Sequence, residues 1–423
     1  MSNRKVVVIG GGMVGLCSAW YLKQQGHQVT IIDKGTIGEG CSSGNAGMLV
    51  PSHFIPMAAP GIIAKGLKWM FQPESPFNVK PTLDMQSLFW LLSFFRNANQ
   101  TNVDRCKQTI LDLNLYSHEL YGSLSNDSGL EFEMGKHGLF MLYKTEKAEK
   151  EEVELAQQAQ ELGLDVAILN GQQVQDLEPD VRVDVRGGVH FRCDSHIDPA
   201  RFMQAIVKGL QQSDDTVLLS NTEAVGFEQD ANGRLTDVLV RSGDGETTSI
   251  AGDEFVLAAG AFSREVAKLL GDNLPVVSGK GYSLTLDNPG KLNRIPAIMT
   301  EAKVTITPMG EKLRFCGTME LLAEGEKINQ GKLNGLRKAV GQYYPDFAEA
   351  LMSADPVWSG MRPCSPDGMP FIGRFKKHEN LIAATGHAMM GVSLGPATGK
   401  MVSDIVAGTP DTRFNMALMS PDR

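Results

Sequence analysis

The sequence predicts an α/β protein in which a nucleotide-binding domain built on a parallel sheet is interleaved with an α+β domain carrying a large mixed or antiparallel sheet. Three observations predict it. The apolar run Lys5-Val6-Val7-Val8-Ile9 breaks into glycines spaced G-x-G-x-x-G at Gly10, Gly12 and Gly15 and resumes with helical character. A second apolar run, Gln28-Val29-Thr30-Ile31-Ile32, closes on Asp33. A third, Glu254-Phe255-Val256-Leu257, runs into the small-residue turn Ala258-Ala259-Gly260, so a remote segment approaches the same ligand.

The first observation is a phosphate-binding turn. Gly10 allows the tight strand-to-helix reversal, Gly12 lets backbone N–H groups approach a pyrophosphate with Met13 and Val14, and Gly15 lets the helix lie close on the sheet. The helix N-terminus supplies the positive end of its dipole. Arg4 and Lys5 before an apolar run also suit a secretory leader, but the glycine spacing and the want of a small-residue cleavage site argue against one. Asp33 lies roughly 20 residues beyond the glycines, where a carboxylate accepts ribose hydroxyl hydrogen bonds. Lys34 follows it. The stretch Ser42-Ser43-Gly44-Asn45-Ala46-Gly47-Met48 is too rich in Gly and Ser for regular structure, and its position favours a loop wrapped around the ligand.

Residues 53 to 105 mix proline turns with short amphipathic helices such as Leu67-Lys68-Trp69-Met70-Phe71. Core packing is the usual fate of such stripes, while Lys65 and Lys68 beside Trp69 and Phe71 keep a membrane-surface contact open. Residues 106 to 124 and 144 to 163 read as helices. Asp198-Pro199 reads as a helix start with Asp198 as N-cap, and His196 beside it reads as a hydrogen-bonded structural group. Val217-Leu218-Leu219 and Glu223-Ala224-Val225 are strands, 228 to 255 a meander, and 275 to 325 alternating strands of a substrate-side sheet. A helix follows from Lys332 to Tyr343. Two Gly- and Pro-rich stretches close the pattern, one holding Gly360-Met361-Arg362-Pro363, the other Thr385-Gly386-His387 and Gly391-Val392-Ser393.

Composition narrows the function. A chain of 423 residues has room for more than one core. A net charge of −9 gives no basic footprint for nucleic acid. The six cysteines are scattered, with no C-x-x-C and no cluster at metal-ligand spacing, which reads as reduced thiols in a cytoplasmic protein that holds no metal. No apolar stretch reaches the length of a bilayer span.

The glycine start, Gly44-Asn45-Ala46-Gly47, Ala58-Ala59-Pro60-Gly61, Leu257-Ala258-Ala259-Gly260, Lys280-Gly281-Tyr282-Ser283, Gly360-Met361-Arg362-Pro363, Pro366-Asp367-Gly368 and Thr385-Gly386-His387 occur in an order that resembles the D-amino acid oxidase superfamily of flavoproteins. The likeness is above all to D-amino acid dehydrogenases (small subunit) and glycine oxidase-like enzymes. It implies a Rossmann-like FAD-binding domain over 1–52, 155–265 and 359–423 and a substrate domain over 53–154 and 266–358. It implies hydride transfer from the Cα of a D-amino acid to flavin N5, hydrolysis of the imine to a 2-oxo acid and ammonia, and electrons passed to a quinone or other respiratory acceptor on the cytoplasmic membrane face, with segments 62–71 and 87–95 as contacts. Arg362 matches the arginine that pairs with the substrate carboxylate. A guanidinium suits that task because it grips a carboxylate bidentately and stays charged. Tyr282 and His387 are expected beside the flavin ring or substrate, and the Gly391, Val392 and Ser393 amides near the reduced ring's charge. The cofactor contacts further include Val225, Ala258, Ala259 and Gly260. Gly360 stands where related sarcosine-oxidising enzymes carry a flavin-linking cysteine, so FAD is expected to be non-covalent. The alternatives are a secondary amine (D-proline, hydroxy-D-proline, sarcosine or glycine), a 2-hydroxy acid, which would need His196 or His387 as base, or a flavin-binding protein without turnover.

Overall fold

The computed structural model describes residues 3–127, 129–323, 325 and 327–423. Two sheets face each other across a cavity. The first has six strands in the order Thr216–Leu219, Gln28–Ile32, Lys5–Ile9, Glu254–Leu257, Leu381–Thr385, Phe371–Arg374. All neighbours are parallel except the last pair. Strand 5–9 is apolar from Val6 to Ile9 because both faces are covered there. Val6 and Val8 join a core with Leu16, Ile206 and Val402 of helices Met13–Gln24, Pro199–Gln211 and Gly395–Ala407. Val7 and Ile9 point the other way, onto Leu235, Val238 and Val240 of the meander. That meander is a separate three-stranded antiparallel sheet of Thr222–Gln229, Leu235–Ser242 and Thr247–Ala251.

The second sheet has nine strands. Eight run in the order Trp358–Cys364, Val277–Asp287, Lys312–Leu321, Val304–Met309, Ala297–Met299, Leu139–Tyr143, Gly187–Phe191, Val166–Asn170, and Phe77–Val79 pairs alongside Lys312–Leu321. Its outer face packs Leu284, Ile306 and Phe315 against Leu333, Leu336 and Val340 of helix Gln330–Tyr343. Its inner face looks into the cavity.

This pairing corrects the expected division of the chain. Strands 166–170 and 187–191 and residues 359–364 of strand 358–364, expected in the FAD-binding segments 155–265 and 359–423, belong to the nine-stranded sheet. Apolar alternation announces a strand, but it does not say which sheet completes its hydrogen bonds.

Helix 199–211 starts as expected, with the Asp198 carboxylate accepting from the Ala200 amide at 3.0 Å and Pro199 in the first turn. His196 lies on strand Ser195–Ile197, and its ring packs on Gly135 so closely that a Cβ there would sit 2.1 Å from it. It is not among the cavity-lining residues. Among the described residues, no helix is long and apolar enough to cross a membrane. All six cysteines are free thiols.

Candidate active site

The C-terminal ends of strands 5–9, 28–32, 254–257 and 381–385 open onto a cavity of about 1600 Å³ roofed by the inner face of the nine-stranded sheet. Ligands of open parallel sheets bind at such strand ends.

One end of the cavity is made largely of backbone. Gly10 has φ +114°, and a Cβ on it would stand 2.4 Å from the Ala258 carbonyl oxygen. A Cβ on Gly15 would lie 1.9 Å from the Gly10 carbonyl oxygen, so no side chain fits where helix meets strand. The Asp33 carboxylate accepts from the Gly11 amide at 2.7 Å and the Gly35 amide at 2.8 Å while lining the cavity. Each of its oxygens keeps a lone pair for a ribose hydroxyl. Ser42 Oγ accepts from the Met13 amide at 3.2 Å, and the Lys34 ammonium sits 3.1 Å above the Phe262 ring. Gly12, Val14, Asn45, Ala46, Met48, Val225, Ala258, Ala259 and Gly260 also line this space, as do Gly391 and Val392.

Three expected contacts have other work. Ser43 donates to the Gly40 carbonyl oxygen at 2.9 Å within its own turn, and Gly47 packs against Ile197. Ser393 Oγ donates to Asn114 Oδ1 at 2.7 Å and accepts from the Val50 amide at 3.0 Å. None of the three lines the cavity. Short polar side chains in a tight loop satisfy neighbouring backbone before they reach a ligand.

The other end is made of side chains. Arg362, on the inner face of strand 358–364, donates to the Thr318 carbonyl oxygen at 3.0 Å. Its guanidinium lies across Gly281, where a Cβ would stand 2.0 Å from Nη1. Among the described residues no carboxylate lies within salt-bridge distance of it. Burial pushes its pKa down, as expected for a cation lacking a counter-charge. Thr318 itself holds φ +67°, a left-handed conformation that a β-branched residue adopts only under constraint.

Tyr282 and His387 line the cavity with the tyrosine hydroxyl and one imidazole nitrogen engaged by the protein. The Tyr282 hydroxyl donates to Glu320 and accepts from the Asn329 amide at 3.0 Å. His387 Nε2 meets Thr398 Oγ1 at 2.9 Å, and burial drives its pKa down to about 3. Both therefore shape the wall. Cys364 Sγ is buried outside the lining, whereas Cys41 and Cys316 line the cavity. Sequence reasoning missed Thr318, Lys303 and His53, which also line it. The only local signal was the polar Ser52-His53 pair at the end of the Gly- and Ser-rich loop.

Against known families, a model described as "DAO: FAD dependent oxidoreductase" matches residues 5–405. A D-amino acid dehydrogenase of Neisseria meningitidis is 31% identical over 417 residues, covering 96% of both chains. One from Neisseria gonorrhoeae is 32% identical over 418 residues, again with 96% of each covered. Among solved structures, glycine oxidase from Geobacillus kaustophilus aligns with a TM-score of 0.77 at 22% identity, covering 100% of this chain and 99% of that one. L-proline dehydrogenase from P. horikoshii aligns with a TM-score of 0.73 at 18% identity, covering 99% and 97%.

Proposed function

Because the chain belongs to the DAO family of FAD-dependent oxidoreductases, we propose that it oxidises the Cα–N bond of a D-amino acid, giving a 2-oxo acid and ammonia and passing electrons to a quinone or other respiratory acceptor. The observation that carries this reading is Arg362: a half-buried guanidinium, with no carboxylate partner among the described residues, in a cavity whose wall is mostly apolar. Leaving such a cation unpaired is costly. A bound carboxylate removes the cost with two parallel hydrogen bonds. The cavity around Gly10 and Asp33 fits FAD, since Gly10 and Gly12 expose backbone at its wall and Asp33 keeps acceptor capacity. FAD supplies the two-electron chemistry when bound. The chain's task is to hold the carboxylate on Arg362 and keep Cα in one orientation, while Tyr282, His387 and the aliphatic wall exclude water.

The acceptor reading is supported by the surface around helices Ile62–Met70 and Met85–Asn97. Phe71 is 87% exposed and Phe89 and Phe95 are each 62% exposed. Leu67, Met70 and Phe95 are exposed and also line the cavity. An exposed apolar patch that shares walls with a redox cavity suits a peripheral membrane contact and an apolar electron acceptor.

The test is an anaerobic titration of the purified holoprotein, following flavin bleaching by D-amino acids, L-amino acids, D-proline, hydroxy-D-proline, sarcosine, glycine and 2-hydroxy acids. Bleaching by D-amino acids is the expected result. Bleaching confined to secondary amines would shift the substrate class, and bleaching confined to hydroxy acids would overturn amine oxidation. Acid precipitation should release all yellow colour. Colour retained in the pellet would assign a covalent link and point to Cys41 or Cys316.

A further inference from the structure

Away from Arg362, a buried polar chain reaches the cavity wall. Ser52 and Asp194 are 3% and 1% exposed, and His53, next in sequence, lines the cavity. Ser52 Oγ donates to Asp194 Oδ2 at 2.5 Å, and the Ser52 amide donates to Oδ1 at 3.0 Å. His53 Nδ1 lies 2.9 Å from Ser52 Oγ. With the serine hydrogen given to Asp194, Ser52 Oγ can only accept from the imidazole. The network therefore assigns the hydrogen to Nδ1 and leaves Nε2 with a lone pair. Among the described residues no group donates to Nε2.

The cavity wall that His53 joins also holds Lys303, Thr318 and Arg362. Val304 packs on Gly317, where a Cβ would lie 3.2 Å from a valine methyl. Lys303, in the turn just before Val304, lines the same cavity as Thr318, whose carbonyl oxygen holds Arg362. Lys303 and Arg362 both line the cavity, and the Lys303 charge acts on His53.

We propose that His53 takes the proton from the ammonium of the bound amino acid, with Ser52 and Asp194 as the positioning residues that carry the proton inward. The proposal rests on the amine-oxidation reading. In the step, the N–H bond of the ammonium breaks and its proton joins His53 Nε2. Nδ1 gives its hydrogen to Ser52 Oγ, and Ser52 gives its own to Asp194. A neutral amine, a neutral imidazole and a protonated Asp194 result. No atom is oxidised, and the amine lone pair needed for imine formation is freed.

The charges around the chain favour this direction. Burial and Lys303 hold the His53 imidazole down at about 4, so a lasting imidazolium is disfavoured. Burial lifts Asp194 to about 7, against the hydrogen bonds from Ser52 and Cys193 that lower it. Asp194 is thus the better resting place for the proton. Lys303 and Arg362 both disfavour a third cation in the cavity. Glu152 and Glu151 of helix Glu146–Glu161, with Glu301, act on Lys303 from the far side, and Lys65 opposes them.

The experiment is anaerobic stopped-flow bleaching of the holoenzyme with the D-amino acid that reduces the wild type fastest, from pH 6 to pH 10. His53→Asn and Ser52→Ala are compared at matched FAD content, and benzoate binding is read from the flavin spectrum. A positioned acid or base is worth about 10²–10⁴-fold. His53→Asn should therefore bleach at least about 10²-fold more slowly than wild type near neutrality, converge with it once the free amine is neutral, and bind benzoate unchanged. Ser52→Ala should show a smaller deficit of the same shape. An unchanged pH profile, a deficit equal at every pH, or benzoate binding weakened more than about tenfold would overturn the proposal. If no amine bleaches the wild type, the functional reading falls first and this proposal with it. A bleached wild type with an unchanged variant profile removes the proton path alone.

Discussion

The two ends of the cavity are built from different material. The end at Gly10 and Asp33 is a cradle of backbone, its shape set by places where a Cβ cannot stand. The end at Arg362 is a cluster of side chains drawn from separate strands, its chemistry set by a cation with no carboxylate partner among the described residues. A backbone cradle recognises what every dinucleotide shares and leaves little to tune. A side-chain cluster can be retuned one residue at a time while the sheet beneath it stays put. Substitutions should accordingly act all or none at the first end and by degrees at the second.

The largest expected effect tests the cradle. Gly10→Ala adds a Cβ 2.4 Å from the Ala258 carbonyl oxygen at a φ of +114°. Positive-φ strain costs about 1–3 kcal/mol and overpacking about as much again. The variant should emerge without flavin, as colourless or insoluble protein. Gly122→Ala is the control, because it sits on helix Gln100–Asp127 away from the cavity with nothing within 4 Å of its Cβ. Equal FAD content in Gly10→Ala and wild type would break the contrast between the two ends.

Next comes Arg362→Leu. Removing one member of a hydrogen-bonded charge pair costs about 2–5 kcal/mol, or about 30- to 5,000-fold in kcat/KM, while FAD stays bound. Steady-state kinetics beside the flavin spectrum check both halves of the statement. A smaller effect is expected from Gly281→Ala, which keeps the charge and moves it. Its Cβ would stand 2.0 Å from Arg362 Nη1, the flexible end of a side chain that can swing aside. Thermal stability should hardly change, while KM rises about tenfold. Unchanged KM would show that the guanidinium position is not what selects the carboxylate.

The same division explains what the sequence could disclose. Gly10, Gly12, Gly15 and Asp33 act through spacing along one stretch of chain, and spacing is what a sequence displays. Arg362 became visible only through a family resemblance, since one arginine among glycines and prolines carries no local signature. Arg362 meets Thr318 across 44 positions of sequence, and Ser52 meets Asp194 across 142. No periodicity marks such meetings. The misplaced strands 166–170 and 187–191 have the same origin: alternation foretells a pleated face but not its neighbours. Ser43 and Ser393 had the right chemistry in the right segments, yet their hydroxyls are used by Gly40 and Asn114.

The smallest expected effect concerns pH. His387 lines the cavity, and burial holds its folded pKa at about 3, below the ordinary 6.5. As pH falls below 6.5 the unfolded chain takes up a proton there and the folded chain does not, so stability is lost on acidification from 6.5 towards 3. At 1.36 kcal/mol per unit this amounts to about 2 kcal/mol by pH 5. His53 and His196, both at about 4, act in the same direction. Asp194 and Glu178, both lifted to about 7 by burial, act in the opposite one, since the folded state takes up their protons first as pH falls from 7 towards 4. His387→Gln removes one acid-labile contribution and leaves the others. Its melting temperature should therefore fall less than that of wild type between pH 7 and pH 5, by a few degrees at most. An identical slope would mean that the His387 site admits water or a proton in the folded state, and the wall at that end of the cavity would be softer than its burial implies.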